Sequence, residues 1–124
     1  MMNTSNSPIF RDGNLLILAY DHGLEHGPVD FEPNPASANP RNVFEIASHD
    51  AITALAVHKG LAETYYSDYE DDVPLLLKIN GNSNLAQRDD YYSPKQCTVK
   101  YAVEELGADA IGYTMYAGSK HEDR

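Results

Sequence analysis

Tryptophan is absent from the 124 residues, and cysteine occurs once. The lone Cys97 cannot close an internal disulfide, and no Cys/Cys/His cluster surrounds it, so neither a disulfide framework nor a cysteine-based zinc site holds this fold. Cys97 reads as a small buried residue on a helix rather than a reactive thiol. Positive charge is scarce: nine Lys and Arg face 19 Asp and Glu, leaving a formal net charge of −10. Such a chain repels nucleic acid and anionic lipid, and no basic run offsets it. The longest apolar run, Leu15 to Tyr20, falls far short of the roughly 20 residues that cross a bilayer. The opening residues, MMNTSNSPIF, carry neither the basic start nor the apolar stretch of a secretory signal. The expected location is cytoplasmic, with no nucleic-acid and no membrane partner. No G-x-G-x-x-G, Walker loop, serine elbow or cysteine pair is present, which leaves dinucleotide and nucleotide chemistry without support.

What remains is globular in composition, 42% hydrophobic and 23% charged. The length suits one small domain or a piece of a larger one. An excess of carboxylates is also how a salt-adapted protein stays soluble, so a halophilic character is expected.

Apolar runs and helical patterns alternate. Leu15–Tyr20 reads as a strand covered on both faces, ending at Asp21-His22-Gly23. Residues 27–40 hold four prolines and read as a long loop. Pro40 suits the first turn of a helix to about Ser48, with Val43, Phe44, Ile46 and Ala47 as its apolar face. Ala51–Val57 forms a second strand, followed by His58 and Lys59 and a short helix over Leu61–Tyr66. Val73–Asn80 is a third strand, residues 82–94 a polar loop, and Thr98–Leu106 an amphipathic helix closed by Gly107. Ala110–Tyr116 is a fourth strand. Strands separated by helices imply an α/β fold with parallel strands. Four strands and three helices are half of a (β/α)8 TIM barrel, which takes about 250 residues. The edges of strands one and four would be open to association.

Asp21, His22, Lys78 and Asn80 lie at or beyond strand C-termini, where such folds place ligands. Asp21 is placed to orient a hydroxyl or act as a base. Lys78 either balances an anionic group or packs its stem inward; the residues alone leave both open. His58 and Lys59 are equally polar loop residues or site residues. His22, Glu25 and His26 have the H-x-x-E-H spacing of an inverted zinc-protease motif, with Glu104 as a third candidate ligand. Two histidines four apart share a face only on a helix, and Gly23, Gly27 and Pro28 argue against one here. No metal is therefore expected, and a zinc hydrolase ranks last. Of the nine tyrosines, Tyr65, Tyr66, Tyr69, Tyr91 and Tyr92 are expected at the surface and Tyr113 in the core.

Leu16-Ile17-Leu18-Ala19-Tyr20-Asp21-His22-Gly23-Leu24-Glu25-His26-Gly27-Pro28 resembles the first strand and loop of archaeal-type class I fructose-bisphosphate aldolases. Leu76-Leu77-Lys78-Ile79-Asn80-Gly81 resembles their third strand, and Gly112-Tyr113-Thr114-Met115-Tyr116-Ala117-Gly118-Ser119 their fourth. The blocks follow family order from about Asn14, and related superfamily aldolases and thiolases share looser versions. The resemblance implies residues 1–124 are the N-terminal half of a TIM-barrel aldolase domain, with residues 1–13 a flexible lead. It implies a lyase of glycolysis and gluconeogenesis that splits fructose 1,6-bisphosphate into dihydroxyacetone phosphate and glyceraldehyde 3-phosphate. The chemistry runs through a lysine Schiff base, without metal or other cofactor. Asp21 matches the aspartate that positions or deprotonates substrate hydroxyls, and His22, His26 and Lys78 would border the same pocket.

The family's Schiff-base lysine lies on strand six and its acid/base tyrosine after strand five, beside a tryptophan. Lys59, Lys78, Lys95, Lys100 and Lys120 all fall in the wrong part of the fold to replace that lysine. These residues alone are therefore expected not to cleave the sugar. Expected partners are a phosphorylated sugar and either a second copy or a complementing C-terminal half. The competing reading is a non-catalytic half-barrel module that pairs strand edges.

Overall fold

The computed structural model describes residues 7–84 and 92–120. Four strands form one parallel sheet in chain order: β1 (Ile17–Ala19), β2 (Ala54–His58), β3 (Leu75–Lys78) and β4 (Ala110–Gly112). Between them lie α1 (Pro40–Ala47), α2 (Lys59–Tyr65) and α3 (Val99–Glu104). The fold is the half of a (β/α)8 barrel that the alternating pattern implies.

Alternation along the strands decides which face the helices cover. Leu18, Leu55, Val57, Leu75, Leu77 and Ile111 pack with Phe44, Ala47, Ala62 and Ala102 in one apolar core. The intervening residues Ala19, Ala56, His58, Leu76, Lys78, Ala110 and Gly112 fall on the opposite, inner face. Gly112 confirms this, because a Cβ there would lie 2.7 Å from Leu76 Cδ2 and 3.3 Å from Lys78 Cγ. Small residues on β1, β2 and β4 leave the inner face shallow, so the polar groups at its upper end stand clear of apolar bulk.

The helices start where capping chemistry permits. Asn39 Oδ1 accepts from the Arg41 amide 3.2 Å away and Pro40 holds the first turn of α1. Thr98 Oγ1 accepts from the Tyr101 amide at 3.0 Å and opens α3. Ile46 of α1 is exposed, as are Val99 and Val103 of α3, so the buried stripes are narrower than the apolar spacing implies.

Four expectations need correction. Residues 27–40 hold two 3-10 turns, Pro28–Phe31 and Pro35–Ala38. Each begins with a proline whose fixed φ suits a helical first turn, so proline here builds local structure. Tyr66 is buried and donates to the Val73 carbonyl at 3.1 Å; burial pushes its phenol up to about 12. Tyr65 and Tyr69 lie against Phe44, with ring centroids 5.9 and 5.1 Å apart. The acidic neighbours of these tyrosines face water while their rings cover α1, a division that composition does not reveal. Tyr113 is 54% exposed rather than in the core, because β4 ends at Gly112. Beyond it the Asn80 amide takes over the pairing: Nδ2 donates to the Thr114 carbonyl at 2.7 Å and Oδ1 accepts from its amide at 2.8 Å. Cys97 is only partly buried and precedes α3 rather than lying within it, and burial raises its thiol. Tyr91 and the middle of the 82–94 loop lie outside the described residues.

No described helix is long and apolar enough to cross a membrane. The outer edges of β1 and β4 carry no strand partner among the described residues. Leu15, Leu16, Tyr113 and Met115, which flank those edge strands, are all exposed.

Candidate active site

Parallel register brings chemistry from three strands to one level. His58 pairs with Lys78, and Lys78 with Gly112. Asp21 stands two residues beyond Ala19, which pairs with Ala56. All lie on the inner face at the C-terminal ends of the strands.

The segment after β1 then folds back. Glu25 and His26 amides both donate to the Asp21 carbonyl, at 3.2 and 3.3 Å, and the Gly23 amide donates to Gly27 at 3.2 Å. Gly23 and Gly27 have φ of +83° and +73°, which side chains rarely tolerate, so this turn depends on glycine. It carries the Glu25 carboxylate over the inner face. There the Lys78 ammonium donates to both Asp21 Oδ1 and Glu25 Oε1. The same Glu25 oxygen lies 2.6 Å from His58 Nε2, and His58 Nδ1 is 3.1 Å from Gln96 Oε1. A Cβ on Gly81 would come within 3.1 Å of His58 Nε2, so Gly81 makes room for the ring.

The electrostatics sort these groups by role. Burial alone would lower the Lys78 ammonium, but its hydrogen bonds to Asp21 and Glu25 outweigh that and the net shift is upward. Lys78 is therefore held as a cation and is a poor nucleophile. His58 is shifted down, by burial first and by the Lys78 charge next, against the pull of Glu25. A neutral ring that donates its Nε2–H to Glu25 keeps Nδ1 as an acceptor. That state favours the Gln96 amide turned with its nitrogen toward the ring.

His22 and His26 do not join this network. They converge on Asp30, with His26 Nδ1 2.5 Å and His22 Nε2 3.5 Å from Asp30 Oδ2. The expected lack of a helix holds, yet a glycine turn and a 3-10 turn bring the two rings together without one. The H-x-x-E-H reading fails in another way: Glu25 points to Lys78, and Glu104 sits exposed on α3 beside Lys100. Asp21, Glu25 and His58 are also close enough to share a metal, but the cation this set already holds is the Lys78 ammonium. A cavity of about 600 Å³ opens beside the network, lined among others by Tyr20, His22, Phe31, His58, Leu61 and Gln96.

Residues 15–124 match the model of the DeoC/LacD family aldolases. The chain belongs to the DeoC/LacD aldolase family. It is 56% identical over 117 residues to the class 1 fructose-bisphosphate aldolase of Halobacterium salinarum, covering 94% of this chain and 44% of that protein. Identity to the class 1 enzyme of Thermoproteus tenax is 45% over 112 residues, covering 90% and 41%. The fold superposes on a Schiff-base-forming fructose-1,6-bisphosphate aldolase with a TM-score of 0.75 at 45% identity, covering 86% of this chain and 40% of that one. The aldolase of Slackia heliotrinireducens superposes at 0.74 with 32% identity. This aldolase-family chain thus spans less than half the length of the relatives it matches.

Of the residues singled out from sequence, Asp21 and Lys78 meet directly, while His22 and His26 form a separate group. The ion-pairing role of Glu25, the contact of Gln96 and the arrival of Asp30 are visible only in three dimensions. His58 carried a signal, since it ends an apolar run as Lys78 nearly does. Gln96 carried none.

Proposed function

We propose that this chain supplies the substrate-holding first half of a class I fructose-bisphosphate aldolase, and that its residues alone do not cleave the sugar. The single observation behind this is Lys78 held between Asp21 and Glu25. A Schiff-base lysine must spend time as a free amine, and here two carboxylates stabilise the charged form. Asp21 keeps acceptor capacity for a substrate hydroxyl, with Lys78 fixing its orientation. His22 lines the cavity beside this network. The phosphorylated ketose, and a chain that contributes the reactive amine, are the implied partners. No cofactor enters.

Complementation tests this. The chain is mixed with a polypeptide covering the remaining strands of the Halobacterium salinarum enzyme, and fructose 1,6-bisphosphate cleavage is assayed. The expected result is activity in the mixture, none in this chain, and a loss of roughly 100-fold or more in kcat with Asp21→Asn. An assembled pair whose activity ignores Asp21→Asn contradicts the proposal.

The open edges of β1 and β4, flanked by exposed Leu16 and Met115, favour a second reading as a half-barrel module that self-associates. A stable, cooperatively unfolding dimer without complementing activity would favour it.

A further inference from the structure

We propose that His22, His26 and Asp30 form a binding site for a divalent first-row transition cation at the rim of the inner face. One nitrogen from each ring and one carboxylate oxygen lie within 4.8 Å of one another. The Asp30 Oδ2 contacts of 3.5 Å to His22 Nε2 and 2.5 Å to His26 Nδ1 approach the ligand spacing around a cation bound at about 2.0–2.2 Å. Asp30 need only retreat by a fraction of an ångström. Two imidazoles and one carboxylate suit zinc, nickel, copper or iron rather than magnesium or calcium, which take oxygen ligands. Three protein ligands leave coordination positions open to water or to an oxygen of a bound molecule.

The donors are fixed before any ion arrives. The His22 ring packs against Tyr20, with centroids 5.1 Å apart, and meets the edge of Phe31 at 5.8 Å and 82°. His26 and Asp30 are four residues apart, across Pro28 and the start of the first 3-10 turn. Nδ1 of His22 is buried without a hydrogen-bond partner, and a cation on Nε2 fixes the ring proton on that nitrogen. Each ligand is between about a third and a half exposed, which leaves an entry path. The neighbouring set of Asp21, Glu25 and His58 is unsuited, because an arriving ion would have to expel the Lys78 ammonium.

The test is calorimetric titration of untagged, chelator-treated full chain with Zn2+, which does not depend on aldolase activity. The expected result is one equivalent bound, with His26→Ala and Asp30→Asn each weakening affinity by roughly tenfold or more while circular dichroism stays unchanged. Both positions are exposed enough to tolerate the change. A ring-proton NMR spectrum should show His22 and His26 shifting on Zn2+ addition while His58 does not move. Absence of binding, or binding unaltered in both variants, overturns the proposal, as does a Zn2+-induced shift at His58 in place of His22.

Discussion

One oxygen of Glu25 receives both the Lys78 ammonium and the His58 ring. Removing Lys78 leaves two carboxylates facing each other in a half-buried site, so Lys78→Met should destabilise the chain by about 2 kcal/mol in urea unfolding. Glu25→Gln should cost less, since Asp21 still partners the ammonium. His58 sets a pH dependence. Its folded-state proton affinity lies below the ordinary histidine value, so its contribution to stability is fully present above that value. The contribution is lost as pH falls toward the folded-state value, because the unfolded ring takes up a proton that the folded ring refuses. Between about pH 7 and pH 5, the wild-type unfolding midpoint should therefore drop more steeply than that of His58→Gln. Equal slopes would mean that His58 does not titrate against folding. Sequence made Asp21 and Lys78 legible because both end apolar runs. It could not show Gln96 reaching His58, since that contact depends on where the chain returns after β3.

Elements were legible where a single periodicity ruled. The strands and helices follow the predicted order, but the strands are shorter, most of all β4, which stops at Gly112. The reason is competition: Asn80 binds the backbone of Thr114 and ends the strand pairing. The 3-10 turns at Pro28 and Pro35 were hidden because proline density reads equally as loop. Two glycines give opposite predictions. Gly112→Ala drives a Cβ into Leu76 and Lys78 and should destabilise by about 1–3 kcal/mol. Gly60→Ala in α2 meets nothing within 4 Å and should stabilise by about 0.5–1 kcal/mol. Thermal unfolding of the two variants checks both signs, and a destabilised Gly60→Ala would show that the helix is not formed as described.

At the scale of the molecule, the fold class was readable because β-α alternation has few solutions, whereas these residues do not show what meets the outer edges of β1 and β4. The charge of −10 carries its own expectation. Screening of carboxylate repulsion should raise the unfolding temperature progressively as KCl approaches molar concentration, and a melting temperature that ignores KCl would remove the salt-adapted reading. The proposal rests on this half barrel holding the phosphorylated ketose while its own lysines stay unreactive. The most direct measurement is borohydride reduction of the chain with dihydroxyacetone phosphate, followed by peptide mass spectrometry. No adduct is expected on Lys59, Lys78, Lys95, Lys100 or Lys120, and a reduced covalent adduct on any of them, Lys78 above all, would overturn the proposal.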